Sequence, residues 1–359
     1  MPAFPARLLA ASRSRAIVLA IAGGTVVPAI AAGQSPVIRG VVLDSMGAQL
    51  GYSVVSIVPN DRRILADDAG RFVFAGIDPG TYHLRARHLG YLPLDTVVIV
   101  GPGSSPQLEL RLTHVTVRLA ERRVVAPGPC RRPGPPDPDT DISLAIAFGE
   151  LRENADRAIA LGAQYPFVFQ MERRVVQEMQ NGDTRPIGID TVVVDGSPRW
   201  RYRRGEVITM VGDHGQPARQ LNIPGLAQLA DSGFHNAHCF SYGGVEKIGR
   251  RRYIRVDFSP DQLIDTPDIE GSVYLDPDSY QIGRLVMSVT HPEKLDAGII
   301  RLKVTSSFRE IVPSIAILDS AEGVTSFDVP RGRPVLRTER QKTVHVVFTR
   351  AVPPGAVLQ

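Results

Sequence analysis

A turn that leads directly into an alternating strand, at residues 67–74, constrains the fold of this chain most. Asp68 and Gly70 are residues that suit a tight reversal of the backbone. Phe72 and Phe74 follow at a spacing of two, which places both rings on one face of a strand. The stretch therefore predicts a turn followed by a half-buried β-strand.

A second stretch of the same kind follows at residues 78–86. Its Pro-Gly pair predicts a turn, and the strand after it carries Tyr82, Leu84 and Ala86 on one face. Two short alternating strands this close together favour a small antiparallel β-domain rather than a helical one.

Both stretches belong to a longer pattern between residues 37 and 112. In order, the pattern reads G-x-V-x-D, D-G-x-F, P-G-x-Y-x-L and G-Y. It resembles the carboxypeptidase regulatory-like domain, with Ala69 inserted between Asp68 and Gly70 and with Gly51-Tyr52 where Gly-Ala is usual. The matching motif residues are Gly40, Asp44, Gly70, Phe72, Pro79, Gly80, Tyr82, Gly90 and Tyr91.

This resemblance implies a transthyretin-like β-sandwich, grouped also with carbohydrate-binding-like folds, that has no catalytic activity of its own. The peptidases that carry such a domain bind zinc elsewhere, through an H-x-x-E motif. None of the eight histidines in this chain has Glu three residues later. The chain also lacks the G-x-S-x-G motif of serine hydrolases. We therefore expect no catalytic residue, no metal site and no cofactor.

Residues 1–31 are expected to be a signal peptide. Arg7, Arg13 and Arg15 form a positive start, an apolar run follows, and residues 29–31 make a small-x-small cleavage site. Its removal takes away three arginines and no acid, so the formal net charge of +4 falls to +1. We expect an exported protein, periplasmic, on the outer surface or extracellular, with no transmembrane segment after signal removal and no nucleic-acid partner.

The rest of the chain divides into three expected parts. Residues 36–118 form the β-sandwich, residues 119–141 form a Pro-rich linker, and residues 142–350 form a helix followed by antiparallel strands. The predicted fold class is mainly β: an N-terminal transthyretin-like sandwich, then a helix packed on a curved antiparallel β-sheet. We expect the sandwich to fold alone.

Helical spacing of apolar residues predicts the helix, with Thr140 or Asp141 as its cap and Gly162 at its end. The apolar face would hold Leu144, Phe148, Leu151, Ala155 and Ile159. The solvent-exposed face would hold Glu150, Arg152, Glu153 and Arg157.

One predicted hairpin in the C-terminal region, residues 271–282, is similar to the half-barrels of bacterial lipoprotein-carrier proteins. Its letters are G-x-V-x-L-D, a turn, and then a strand with Ile282. Such a half-barrel can hold an acyl chain on its concave face, whereas a purely structural sheet would have the same sequence.

Two functional hypotheses follow. The first is a non-catalytic cell-envelope protein that binds a protein partner, a glycan or a lipid. The alternative is a secreted hydrolase with a metal site near His235 and His238, because these residues and Cys239 form the densest group of metal-capable side chains. Trp200 and its neighbouring arginines are interpreted as part of a strand whose arginine side chains face solvent.

Cys130 and Cys239 are the two cysteines of the chain, and export would place them where disulfides persist. We therefore predict a Cys130–Cys239 disulfide that pins the linker to the second domain. Two free thiols, an intermolecular bond, or zinc ligation by Cys239 are the alternatives.

Overall fold

The computed structural model describes residues 36–59, 62–115, 129–196, 201–211, 218–222, 224–329 and 332–358. The expected signal peptide, most of the proline-rich linker and Trp200 lie outside these residues. Residues 35–359 form one compact unit. Among the described residues, no helix is both long and apolar enough to cross a membrane.

The N-terminal part is the predicted β-sandwich of two sheets. One sheet has the order β4-β1-β7, with β1 parallel to β7, and the other has the order β3-β2-β5-β6. The strands are β1 (Val37–Asp44), β2 (Val54–Val58), β3 (Arg62–Leu65), β4 (Arg71–Ala75), β5 (Gly80–Arg87), β6 (Leu94–Val100) and β7 (Gln107–Leu112).

Alternation buries one face of β4 and one face of β5. Phe72 and Phe74 on β4 are buried and lie edge to face, with 6.2 Å between their ring centroids. On β5, Tyr82, Leu84 and Ala86 are buried, while the residues between them are exposed. Both predicted faces are confirmed, because the two sheets bury these side chains against each other.

The turn before β4 differs in one residue from its prediction. The carboxylate of Asp67, not that of Asp68, accepts hydrogen bonds from the backbone N–H groups of Ala69 and Arg71, at 3.0 and 2.8 Å. Gly70 has a φ of +73°, and a Cβ there would lie 2.7 Å from the carbonyl oxygen of Val42. The turn therefore requires glycine at this position for both backbone conformation and space.

Helix α1 (Ile142–Gln164) begins the second part. Asp141 caps it, as predicted, by accepting a hydrogen bond from the backbone N–H of Leu144 at 3.0 Å. The helix continues through Gly162 to Gln164 rather than ending at the glycine. Asn154 ties it to the following sheet, because its amide donates to the carbonyl oxygen of Tyr280 and accepts from the N–H of Ile282, each at 2.9 Å.

A single antiparallel sheet of nine strands makes up most of the second part. Strands β12 to β18 follow one another in order, and β8 and β9 then extend the sheet beyond β18. Their bounds are β8 (Phe167–Glu178), β9 (Thr184–Asp195), β12 (His238–Ile248), β13 (Arg251–Pro260), β14 (Ile269–Leu275), β15 (Ile282–Val289), β16 (Ile299–Val312), β17 (Ile315–Phe327) and β18 (Val335–Phe348). The predicted fold class is confirmed.

Shorter elements connect these strands. Strands β10 (Ile208–Val211) and β11 (Ala218–Leu221) pair as a separate hairpin, and helix α2 (Ser232–Ala237) precedes β12. Residues 201–203 lie outside any strand, so the strand predicted around Trp200 is wrong in its described part. Tyr202 there is buried and donates from its hydroxyl to Asp268 at 2.7 Å, which holds this segment as an ordered loop.

The sandwich and the second part share a hydrophobic cluster. Tyr52, Val54 and Leu65 from the sandwich are buried in one group with Leu161 of α1 and Ile315 of β17. The sandwich also has a separate core of its own around Phe74. Independent folding of residues 37–112 therefore stays a prediction.

Cys130 and Cys239 are joined by a disulfide, with 5.4 Å between their Cα atoms. The described end of the linker is also held by its backbone. The carbonyl oxygen of Cys130 accepts from the N–H of Gln262 at 3.1 Å, and the N–H of Gly134 donates to the carbonyl oxygen of His238 at 2.9 Å. The linker from residue 129 onward is thus attached to the start of β12.

Truncation of Phe72 tests the sandwich core. Phe72 is only 3% exposed, so Phe72→Ala should lower the free energy of unfolding by about 3–5 kcal/mol. The control is Val73→Ala on the same strand, where the side chain is 55% exposed and the expected loss is under about 1 kcal/mol. Urea unfolding followed by circular dichroism measures both. Equal losses for the two variants would contradict the assigned faces.

Candidate functional site

The motif residues of the sandwich serve its turns and packing. Asp44 accepts from the backbone N–H groups of Met46 and Ala48, both at 2.8 Å. The hydroxyl of Tyr82 donates to the carbonyl oxygen of Asp78, in the turn that holds Pro79 and Gly80, at 2.8 Å. These contacts hold loops in place and leave none of these groups directed at a shared ligand position.

Three other motif residues lie where chain segments approach closely. A Cβ on Gly40 would lie 2.4 Å from the carbonyl oxygen of Leu108, so β1 and β7 can only pair with glycine there. The backbone N–H of Gly90 donates to the carboxylate of Glu150 at 3.0 Å, and the ring of Tyr91 packs edge to face on His114. Gly90 is therefore a contact between the sandwich and helix α1.

The histidine group proposed as an alternative metal site has structural roles. His238 is fully buried, and its two ring nitrogens lie 2.8 and 2.9 Å from the carbonyl oxygens of Phe234 and Ile269. His235 Nε2 lies 2.5 Å from the carbonyl oxygen of Leu229. Cys239 is in the disulfide, so these side chains do not converge on a common point. Among the described residues, no group of three or more His, Cys, Asp or Glu side chains is arranged so that it could hold a metal ion.

A cavity of about 860 Å³ lies on one face of the nine-stranded sheet. Helix α1 forms one wall through Ala158 and Ile159, and a loop at residues 224–228 forms another. Most of its remaining wall comes from β8, β9, β16, β17 and β18. Its main apolar lining residues are Ile159, Phe167, Phe169, Val194, Leu226, Leu302, Val304, Phe308, Ile317 and Leu318.

Strand register explains why this space is open. Leu302 and Val304 of β16 pair with Thr325 and Gly323 of β17, and Ser306 pairs with Ala321. The strand at the centre of the cavity floor therefore presents small side chains where its neighbours present larger ones. A Cβ on Gly323 would have only Val304 Cγ2 and the carbonyl oxygen of Glu339 within 4 Å, so the space over Gly323 is unfilled.

A polar stripe runs along one side of the cavity. Arg173 of β8 binds the carboxylate of Asp190 on β9 through two hydrogen bonds, Nε to Oδ1 at 2.8 Å and Nη2 to Oδ2 at 2.6 Å. Its other nitrogen, Nη1, lies 3.8 Å from Glu339, which also accepts from Gln341 at 2.9 Å. The hydrogen bond with Arg173 lowers the pKa of Asp190, so this carboxylate stays charged.

A smaller pocket of about 420 Å³ adjoins this cavity and shares Ala158, Ile159 and Gln228 with it. Asp156, Arg201 and Asp231 contribute charged groups to its wall. Arg201 therefore lies in the smaller pocket beside helix α1, and Arg337 lines the larger cavity farther along the sheet.

Helix α1 is held from its other side by a cluster of charges. Arg87 of β5 lies 2.8 Å from Asp156 and 3.3 Å from Glu153, and Arg63 of β3 lies 2.9 Å from Asp156. Arg157 donates from Nε to the carbonyl oxygen of Ser314 at 3.0 Å. The helix that forms a wall of the cavity is therefore also the surface on which the sandwich docks.

The prediction of a solvent-exposed face for this helix is wrong at three of the four residues assigned to it. Glu150, Glu153 and Arg157 are buried, and only Arg152 is exposed. Burial raises the pKa of Glu150 to about 8, although the Gly90 hydrogen bond opposes the shift. Burial and the neighbouring Arg157 lower the pKa of His88 to about 2. The sandwich covers a helix face that the sequence pattern assigns to water.

A comparison with known families identifies the sandwich. The family model described as "Carboxypeptidase regulatory-like domain" matches residues 37–113. Residues 37–113 are a carboxypeptidase regulatory-like domain. The predicted resemblance is confirmed, and the matched residues end before helix α1 and the cavity. No curated protein matches the chain.

Solved structures are similar to different parts of the chain. A LolA superfamily protein from Nitrosomonas europaea has 12% identity and a TM-score of 0.30, over 57% of this chain and 94% of that one. A DUF1329 family protein from Desulfovibrio piger has 10% identity and a TM-score of 0.32, over 57% and 95%. A 3-chlorocatechol 1,2-dioxygenase from Rhodococcus opacus has 15% identity and a TM-score of 0.19, over 23% of this chain. The chain spans 61% of that dioxygenase's length.

Glu150 makes the stability of the protein depend on pH. Its carboxyl has an ordinary pKa of 4.5 and a raised pKa of about 8 in the folded protein. Between these values the folded state keeps a proton that the unfolded chain has lost, so the free energy of unfolding falls as pH rises. We expect Glu150 to contribute a slope of up to about 1.4 kcal/mol per pH unit from pH 7 to 8. The buried histidines oppose it near pH 7, because burial lowers their pKa values in the folded state while the unfolded chain still binds part of their protons.

The variant Glu150→Gln should reduce this slope and stabilise the protein at pH 8. Burial also raises the pKa of Glu153, so part of the slope should remain. The control is Glu270→Gln, at an exposed position of β14. Urea unfolding at pH 7 and at pH 8 measures the effect. An unchanged slope in Glu150→Gln would show that Glu150 is ionised in the folded protein.

Proposed function

We propose that this protein is a non-catalytic binding protein whose cavity holds the acyl chain of a lipid. The observation that supports this proposal is the cavity of about 860 Å³ with mostly apolar walls between helix α1 and the sheet. Its volume is within the range of ligand pockets, which are lined mainly by apolar side chains with a few polar groups. A flexible alkyl chain is an apolar ligand that can adapt to a space lined by side chains from several strands and a helix.

The types of exposed side chain favour a lipid over a glycan. Sugar rings commonly stack on exposed aromatic side chains, and every Phe and Tyr that the structure describes is buried or half-buried. The large apolar side chains that are exposed in the described part are aliphatic residues or methionines, such as Ile99, Ile189 and Met46. The cavity lining also contains no histidine or cysteine among the described residues, and its serine, Ser306, has no base beside it there.

We also propose that the protein is exported to the cell envelope. The proposal rests on the signal-peptide pattern of residues 1–31 and on the disulfide, because disulfides persist in oxidising compartments.

Thiol titration of the protein isolated from the host envelope tests the export proposal. In denaturant, no thiol should react before reduction, and both Cys130 and Cys239 should react after it. Two reactive thiols before reduction, or recovery of the protein from the cytoplasm with residues 1–31 still attached, would contradict export.

Chain-length dependence tests acyl-chain binding. Each methylene removed from water contributes about 0.8 kcal/mol, which is roughly a fourfold gain in affinity. Calorimetric titration with octanoate, decanoate, dodecanoate and hexadecanoate should therefore show affinity that rises by about this factor per methylene. The rise should stop once the chain fills the cavity. No binding, or affinity independent of chain length, would contradict the proposal.

The variant Gly323→Val tests whether the ligand binds in the cavity. A Cβ on Gly323 would lie 3.9 Å from Val304 Cγ2, which is an ordinary contact, so valine fits the strand and its methyl groups occupy the cavity. Dodecanoate affinity should fall by at least about tenfold. The control is Gly188→Val on β9, where a Cβ would lie 3.9 Å from Val175 Cγ2 and outside the cavity lining. Equal affinities for the two variants would place the chain elsewhere.

A further inference from the structure

We infer that the lipid carries an anionic head group, which binds Arg337 of β18 and Thr325 of β17 at one end of the cavity. This inference rests on the proposed binding of an acyl chain. It adds the chemical class of the ligand and the direction in which it lies.

Strand register brings the two residues together. Thr325 and Arg337 are direct partners in the antiparallel pair of β17 and β18, and both line the cavity. Side chains at such positions stand side by side on one face, with about 5 Å between their Cβ atoms. Leu302 of β16 is the next residue in the same row. The row therefore places an apolar side chain, a hydroxyl and a guanidinium next to one another.

The charges around this row leave one cation without a partner. Arg173 is bound by Asp190, and Glu339 is engaged by Gln341 and by Arg173. Arg337 has no ion pair and no hydrogen bond with any described residue, and the hydroxyl of Thr325 likewise has none. Three donor nitrogens on this side of the cavity are thus hydrogen-bonded to protein carboxylates, whereas the donors of Arg337 and Thr325 are available.

The available donors match an anionic head group. A guanidinium binds a carboxylate or a phosphate through two parallel N–H···O bonds, and the adjacent hydroxyl can donate a third hydrogen bond. An acyl chain that leaves this position along Leu302 and Val304 reaches Phe308 and then Ile159 of helix α1. A ligand held in this way has its charged end near solvent, at exposed Arg337, and its chain in the apolar interior.

Four ligands with the same alkyl chain test the inference: decanoate, decyl phosphate, decanol and decylamine. At pH 8 and low salt, the two anions should bind about tenfold more tightly than decanol, and decylamine should bind most weakly. The advantage of the anions should shrink as salt is added, because Arg337 is exposed. Comparison of decanoate with decyl phosphate distinguishes a fatty acid from a phosphate-bearing lipid.

Variants assign the effect to the two residues. Arg337→Gln should reduce decanoate affinity to that of decanol while leaving decanol affinity unchanged, and Arg337→Lys should retain part of the difference. Thr325→Val should give a smaller loss in the same direction. The control is Arg301→Gln, the same change of charge at an exposed position on the opposite face of β16. It should bind all four ligands as the unaltered protein does.

The possible failures are distinguishable. If chain length and Gly323→Val control affinity but the acid, alcohol and amine bind equally, the anionic head group is wrong and acyl-chain binding stands. If no chain binds, the proposed function itself is wrong. If Arg201→Gln rather than Arg337→Gln removes the preference for anions, the head group lies beside helix α1, which overturns the assignment to Arg337.

Discussion

Arg157 of helix α1 is fully buried and donates from Nε to the carbonyl oxygen of Ser314 across 3.0 Å. A buried charge of this kind is stable only when partners compensate for the water it has lost. Here the compensation comes from both sides of the helix, since Glu153 of the helix and Glu310 of β16 supply negative charge and His88 of the sandwich lies with its Nδ1 3.3 Å from Arg157 Nη1. The position of α1 therefore depends on the sandwich and the sheet being present together.

The cavity is a consequence of this fixed helix. Leu151 and Asn154 hold α1 against the sheet, and Ala158 and Ile159 lie where the sheet continues past it. The longest strands of the sheet, β16 to β18, carry much of the cavity lining. Over small residues such as Gly323 no side chain fills the space, so an apolar surface is left open on an otherwise packed face.

The disulfide constrains the same arrangement at the other end of the helix. Cys130 precedes α1 and Cys239 lies at the start of β12, so the bond fixes where the chain enters the second part. Closing a loop of 109 residues restricts the unfolded chain by roughly 4.7 kcal/mol in loop-entropy models. The helix that borders the cavity is thus held through its charges, its contacts with the sheet and the covalent bond before it.

The sequence by itself determined the features that depend on neighbouring residues. The turn at Gly70, the alternation of Phe72 and Phe74 and the cap at Asp141 are local, because each depends on backbone conformation or on a period of two. Two cysteines in an expected exported chain also sufficed to name the Cys130–Cys239 pair. Only the tertiary structure decided that Glu150 and Arg157 are buried, since a charged face of an amphipathic helix looks the same whether water or another domain covers it.

The candidate site was likewise decided by tertiary structure. Phe169, Leu302 and Arg337 are far apart in the sequence and meet because β8 pairs with β18 after the chain has passed through the whole sheet. The sequence similarity to half-barrels indicated a concave face but no residue on it, and the His235 and His238 pair was a more visible pattern. Local patterns record the period of a strand, whereas a cavity depends on register between distant strands and on where the helix that covers them ends.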